Sequence, residues 1–216
     1  MLFNKKFIYI FLNNKIISCD TILPLMLEIK KNNNSININF IIFDFKTYQF
    51  IQNNQLLYKI IKEVGTLKCL GRKKNSIYFK EQSISIYDYK RLYIILHFMK
   101  ILPYLLRLFF NLIFLNVIFI HFRALNLWPT KILYYFNKSK TILCEADSSG
   151  FSERGYNADR SVHENRQDLS IFTGPNPCGK KIIAFSKSFT LLKHPALINS
   201  EKYIIESSHN RKIWLN

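Results

Sequence analysis

Residues 6–45 read KFIYIFLNNKIISCDTILPLMLEIKKNNNSININFIIFDF, and the way this stretch divides decides the fold. Lys6–Leu12 is an unbroken β-branched and aromatic run closed by Asn13-Asn14, the pattern of a buried strand. Cys19–Lys31 reads as a helix. Asp20 or Thr21 can cap it, Pro24 fits a first turn, and Ile22, Leu25, Met26 and Ile29 fall on one face. Asn32–Ser35 makes a turn, and Ile36–Phe45 alternates into a second apolar strand.

Working outward, Lys46–Glu63 carries helical periodicity through Phe50, Ile51, Leu57, Ile60 and Ile61 and ends near Gly65. Leu67–Leu70 reads as a short third strand closed by Gly71. A β-α-β-α-β order with short connections predicts an α/β fold: an open parallel sheet with helices packed on it. A long aromatic-rich helical region begins at Tyr87, a helix is expected near Leu125–Asn137, and a strand at Lys140–Cys144. Residues 148–180 turn polar, which marks a loop region of unusual length for a compact domain. Lys181–Phe185 and Lys202–Ile205 are short strands that return the chain to the same domain.

The stretch 101–122, ILPYLLRLFFNLIFLNVIFIHF, contains Arg107 as its single charge. Three readings are open for it: helices packed on the sheet, a hydrophobic-basic helix docked on the inner leaflet, or a spanning helix. Arg107, Asn111, Asn116 and Pro103 weigh against a span, since a mid-membrane Arg costs about 2.5 kcal/mol or more on insertion scales. At the N-terminus Phe7–Leu12 is too short for a signal-peptide core and no small-residue cleavage site follows, so a first strand is the expectation.

The formal charge of +17 would suit phosphates or an anionic membrane surface. The chain also has 21 Asn with abundant Lys, Ile, Phe and Tyr, the residue set of AT-rich codons, so composition alone supplies part of the Lys excess. Residues 1–140 carry 21 Lys/Arg against 6 Asp/Glu, and residues 141–216 carry 10 against 8. Within 145–168 the balance turns acidic. Specific nucleic-acid binding is not expected: no recognised module is present and the aromatics lie in apolar runs. Cys19, Cys69, Cys144 and Cys178 show no CxxC pairing, so free thiols in a reducing cytosol are expected rather than disulfides or zinc. The five histidines make no metal-binding pattern; a lone His is usually structural, and no metal is expected. GPNPCGKK at 174–181 lacks the spacing and the Ser/Thr of a P-loop.

The phrases DTILPLMLEIKK and ININFIIFDFKTYQFIQNNQLLYKII, with TILCEADSSGFSER, KKIIAFSK and KHPAL, resemble bacterial surface-carbohydrate biosynthesis proteins. These are similar to CDP-glycerol glycerophosphotransferases and GT-B glycosyltransferases. The resemblance implies a Rossmann-like domain over 1–147, one half of a GT-B-like architecture, at the inner face of the cell membrane. It implies a polysaccharide acceptor and a donor, a nucleotide-activated sugar or CDP-glycerol, held by a missing or separate domain. No further cofactor is expected.

The polar loop CEADSSGFSERG (144–155) follows the expected strand, where open parallel sheets place their ligands. Glu145 and Asp147 are the candidate catalytic carboxylates, able to take a proton from an acceptor hydroxyl. Ser148, Ser149 and Gly150 are candidate substrate contacts. Asp20 and Thr21, after the first strand, sit where a helix N-terminus suits a phosphate or sugar oxygen. Arg72, Lys73 and Lys74 are candidate phosphate or membrane contacts. Each has a plain alternative: a solvated polar turn, a helix cap, and a solvated basic surface.

Overall fold

The computed structural model of the protein describes residues 6–12, 17–71, 86–122, 124–126, 130–145, 178–184 and 198–204. Inside its sheet lies strand β1, Lys6–Leu12, whose last five residues are all buried. A central parallel strand has no face toward water, which is why its sequence is apolar without alternation. β1 lies between β2 (Asn37–Ile42) and β4 (Asn116–His121) and runs parallel to both. β3 (Thr66–Cys69) flanks β2, while β5 (Thr141–Glu145), β6 (Lys181–Ala184) and β7 (Glu201–Ile204) follow β4. The order is β3-β2-β1-β4-β5-β6-β7, with every pair parallel. This is a Rossmann-like α/β sheet, and its parallel strands are what the alternation of elements predicted.

Helices α1 (Ile17–Asn32), α2 (Phe45–Asn53) and α3 (Gln55–Val64) cover one face of the sheet; α4 (Ile86–Phe114) and α5 (Lys131–Phe136) cover the other. The pleat of β1 divides the two cores. Ile8, Ile10 and Leu12 pack with Cys19, Ile22, Leu23 and Met26 of α1 and Leu57, Ile61 and Val64 of α3. Tyr9 and Phe11 pack with Phe119, Leu108 of α4 and Leu133 of α5. The α1 residues are spaced i, i+3, i+4, i+7, one helical stripe.

Several expectations are corrected. α1 begins at Ile17, so Asp20 and Thr21 lie inside the helix rather than capping it, and Pro24 is an interior residue, not a first-turn one. The single helix expected over 46–63 is two helices. Asn54 ends α2, its N–H bonding Phe50 O, and starts α3, its side chain accepting from Leu57 N at 3.1 Å. Asp44 caps α2 in the same way, accepting from the Thr47 N–H and hydroxyl at 2.8 Å each. These bonds hold its carboxyl below the ordinary range.

The stretch 101–122 is not one element. α4 ends at Phe114, and residues 116–121 are β4, a central strand of the sheet. The two Asn that broke the apolar pattern therefore belong to different elements. Asn111 donates to the Tyr9 hydroxyl at 2.6 Å, and Asn116 accepts from Lys140 at 2.9 Å. The helix expected near 125–137 is confined to Lys131–Phe136.

Candidate functional site at the carboxyl edge of the sheet

The chain lays down β1, β2 and β3 toward one flank, then returns through α4 to place β4 on the other side of β1. The strand order reverses there. In open parallel sheets the crevice outside the carboxyl ends of such a strand pair is where ligands bind. Here it lies above Leu12 and His121, bridged by a hydrogen bond from Phe122 N to Phe11 O at 3.1 Å. The start of α1 faces the same edge, so the positive end of its dipole points into the crevice.

Glu145 is the last residue of β5, in register with Ala184 of β6. His121 of β4 pairs with Leu143, so β5 runs two residues past the end of β4. Glu145 thus stands about 7 Å above that strand end, and two strand spacings, roughly 10 Å, from β1. Asp20 lies in the first turns of α1, at the same edge of the sheet. Thr21, by contrast, is buried and belongs to the packed side of the helix. Asp147, Ser148, Ser149 and Gly150 lie outside the described residues, as do Arg72, Lys73 and Lys74.

The floor of this region holds a buried polar cluster that no sequence pattern marked. His121 is fully buried and bonded through both ring nitrogens. Leu125 N–H donates to Nδ1 at 3.4 Å, and Nε2 pairs with the carbonyl of Cys178, which fixes the tautomer as Nε2–H. Asn126, also buried, accepts from Cys178 N–H at 3.0 Å through its side-chain oxygen. Its amide nitrogen has no hydrogen-bond partner among the described residues. Together His121 and Asn126 tie the segment entering β6 to the end of β4. Burial pushes the His121 ring down to about 4, with the Cys178 bond opposing it, so at neutral pH the ring carries no charge. With both nitrogens engaged, it positions the loop rather than shuttling protons.

Cys19, Cys144 and Cys178 are buried, Cys69 is half-buried, and no disulfide joins the four. Burial raises the Cys178 thiol, as it does that of Cys69. Neither is an activated nucleophile. Among the described residues no three His, Cys, Asp or Glu side chains converge as metal ligands would. What the edge offers is a helix N-terminus, a carboxylate residue at a strand end, and a rigid floor. These suit binding of a polar, hydroxylated or anionic ligand. No protein-family model, curated protein or solved structure matches the chain.

Proposed function

We propose that this chain is the acceptor-side half of a transferase in cell-surface polysaccharide biosynthesis, working at the cytoplasmic face of the membrane. The observation that carries the reading is the reversal of strand order between β1 and β4, with Glu145 and the start of α1 at the same edge. In the proposed reaction a polysaccharide hydroxyl attacks the activated carbon or phosphorus of the donor. Its proton passes to the carboxylate of Glu145 or Asp147, and the nucleotide leaves. Ser148, Ser149, Gly150 and Asp20 would orient the acceptor. The donor, a nucleotide-activated sugar or CDP-glycerol, would be held by a separate domain.

The test is acceptor binding, which needs no donor half. Saturation-transfer NMR with cell-wall oligosaccharides and teichoic-acid fragments should give contacts to the chain, and Glu145→Gln should weaken them. In the presence of a donor-binding partner the same variant should lower transfer by about 100-fold or more, the usual contribution of a general base. Absence of any saccharide contact would overturn the proposal.

A second reading, a non-enzymatic membrane-associated protein anchored by residues 93–122, gains support from one observation. Ile94–Phe114 is long and apolar enough to cross a membrane, and much of its surface is exposed. The strand at 116–121 limits any such anchor to α4. Extraction separates the cases: a peripheral protein leaves the membrane in an alkaline wash, whereas a spanning one stays.

A further inference from the structure

The opposite edge of the sheet, where the strands begin, carries a cleft of about 260 Å³. Phe7 and Tyr9 of β1, Asn37 of β2, Lys30 near the end of α1, and Tyr104 and Arg107 of α4 line it. It lies at the far end of β1 from the crevice above Leu12, so it is separate from the site described above.

Three features of its chemistry agree. First, it holds two cations, no Asp or Glu lines it, and among the described residues no carboxylate pairs with either cation. Lys30 is fixed by donating to the carbonyls of Asn34 (2.8 Å) and Ile36 (2.9 Å), which leaves one ammonium proton to give. Arg107 is exposed, and among the described residues its guanidinium has no hydrogen-bond partner.

Second, two tyrosine hydroxyls add neutral donors. The Tyr104 hydroxyl is buried and has no hydrogen-bond partner among the described residues. The Tyr9 hydroxyl accepts from Asn111, so its own proton remains available. Burial raises both phenols, with the charge of Arg107 acting against it, which keeps them protonated at neutral pH and places the guanidinium within electrostatic reach of both.

Third, one wall is apolar. The rings of Phe7 and Tyr9 are nearly parallel, 13° apart with centroids at 6.3 Å. The volume is below the roughly 300–1,000 Å³ of sites for drug-sized ligands, so the ligand is small.

We infer that this cleft binds a small organic anion, its carboxylate or phosphate on Arg107 and Lys30 and its apolar part against Phe7 and Tyr9. Charge-assisted bonds from a planar guanidinium are the strong ones for such oxyanions. A burial-starved donor such as the Tyr104 hydroxyl gains a partner when an acceptor is placed against it.

The test uses the intact chain labelled with ¹⁵N-arginine. The Arg107 Nε–H signal, assigned by its loss in Arg107→Gln, is followed while benzoate or inorganic phosphate is added against sodium chloride of equal ionic strength. A saturable shift with benzoate, with phosphate, or with both supports the inference, and the pair separates an amphipathic anion from a bare phosphate. Tyrosine-ring signals then report on the variants. Arg107→Gln is expected to weaken binding by about tenfold or more, and Tyr104→Phe, which removes only the unpartnered hydroxyl, by roughly threefold. A shift that stays linear and equals that of chloride, or an Arg107→Gln chain that titrates like the parent, would overturn it. Because Glu145 is at the other edge, Glu145→Gln should leave this titration unchanged.

Discussion

His121 concentrates the chemistry that a single residue contributes to this fold. Its ring is buried at the end of β4 and bonded on both sides, and burial takes its pKa from 6.5 to about 4. The unfolded chain therefore takes up a proton near pH 6.5 that the folded chain refuses until about pH 4. A folded-state value depressed below the unfolded one means that the stability is complete above pH 6.5. It is lost progressively as pH falls to 4, to a total of roughly 3 kcal/mol. Urea unfolding between pH 7.5 and 4.5 should show this decline. His121→Gln keeps an N–H donor but cannot titrate. It should be less stable at pH 7.5 by about 1–2 kcal/mol, and its stability should fall much less over that interval. An equal slope in the two chains would remove His121 from the account. At this scale the sequence was only partly legible. A histidine at the end of an apolar run says nothing of Cys178, its partner 57 residues away. Asp20, in the first turns of α1, and Glu145, the last residue of β5, both lie toward the carboxyl edge of the sheet; Thr21 is buried, because the helix starts earlier than its cap signals implied.

Between elements, the fold depends on close approaches that leave no room for a side chain. Gly65 turns the chain from α3 into β3 beneath β2, where a Cβ would lie 2.1 Å from the carbonyl oxygen of Ile38. Its φ of −174° is ordinary extended backbone, so the demand is steric, not conformational. Gly65→Ala should force β2 and the α3–β3 turn apart at a cost of about 2–3 kcal/mol, lowering the midpoint of thermal unfolding by roughly 4–10 °C. A midpoint unchanged by the substitution would mean that the turn has slack. The glycine was visible in the sequence as the end of a helix, but the carbonyl it faces was not, since Ile38 is 27 residues earlier. The same limit explains the break at Asn54. Helical periodicity continues across it, and only the cap geometry shows two helices. It also explains residues 101–122, where a helix covering the sheet and a strand inside the sheet are both continuously apolar. Periodicity cannot separate such neighbours when both faces of the strand are buried.

The whole molecule was legible where those smaller features were not. Alternation of strand and helix, with connections too short for anything but packed crossovers, is enough to require a parallel sheet. What alternation could not foresee is how unevenly that sheet is covered. α4 packs Tyr104, Leu105, Leu108, Phe109 and Leu112 on the core, while Leu106, Phe110, Ile113 and Phe114 point away, Ile113 with 73% of its surface exposed. Large apolar side chains exposed together mark a binding face. The fold limits how a membrane could meet it. Phe114 is two residues from β4, and the inner side of α4 covers Tyr9, Phe11 and Phe119, so a spanning α4 would strip one core of its lid. Docking in the plane of the bilayer, outer side down, leaves the sheet intact and sets Lys100 and Lys131, on the helices of that face, beside anionic headgroups. On that reading, vesicles rich in phosphatidylglycerol should carry the chain down in sedimentation, neutral vesicles less so, and an alkaline wash should release it. Burying Phe110 and Ile113 is worth about 1.5–3 kcal/mol each, so Phe110→Ser with Ile113→Ser should cut vesicle binding by at least tenfold while changing stability by about 0.5 kcal/mol or less. Leu108→Ala, on the inner side, should do the reverse, costing about 2–5 kcal/mol of stability. A double-serine chain that sediments like the parent, or a parent chain that survives the alkaline wash, would defeat the docking account.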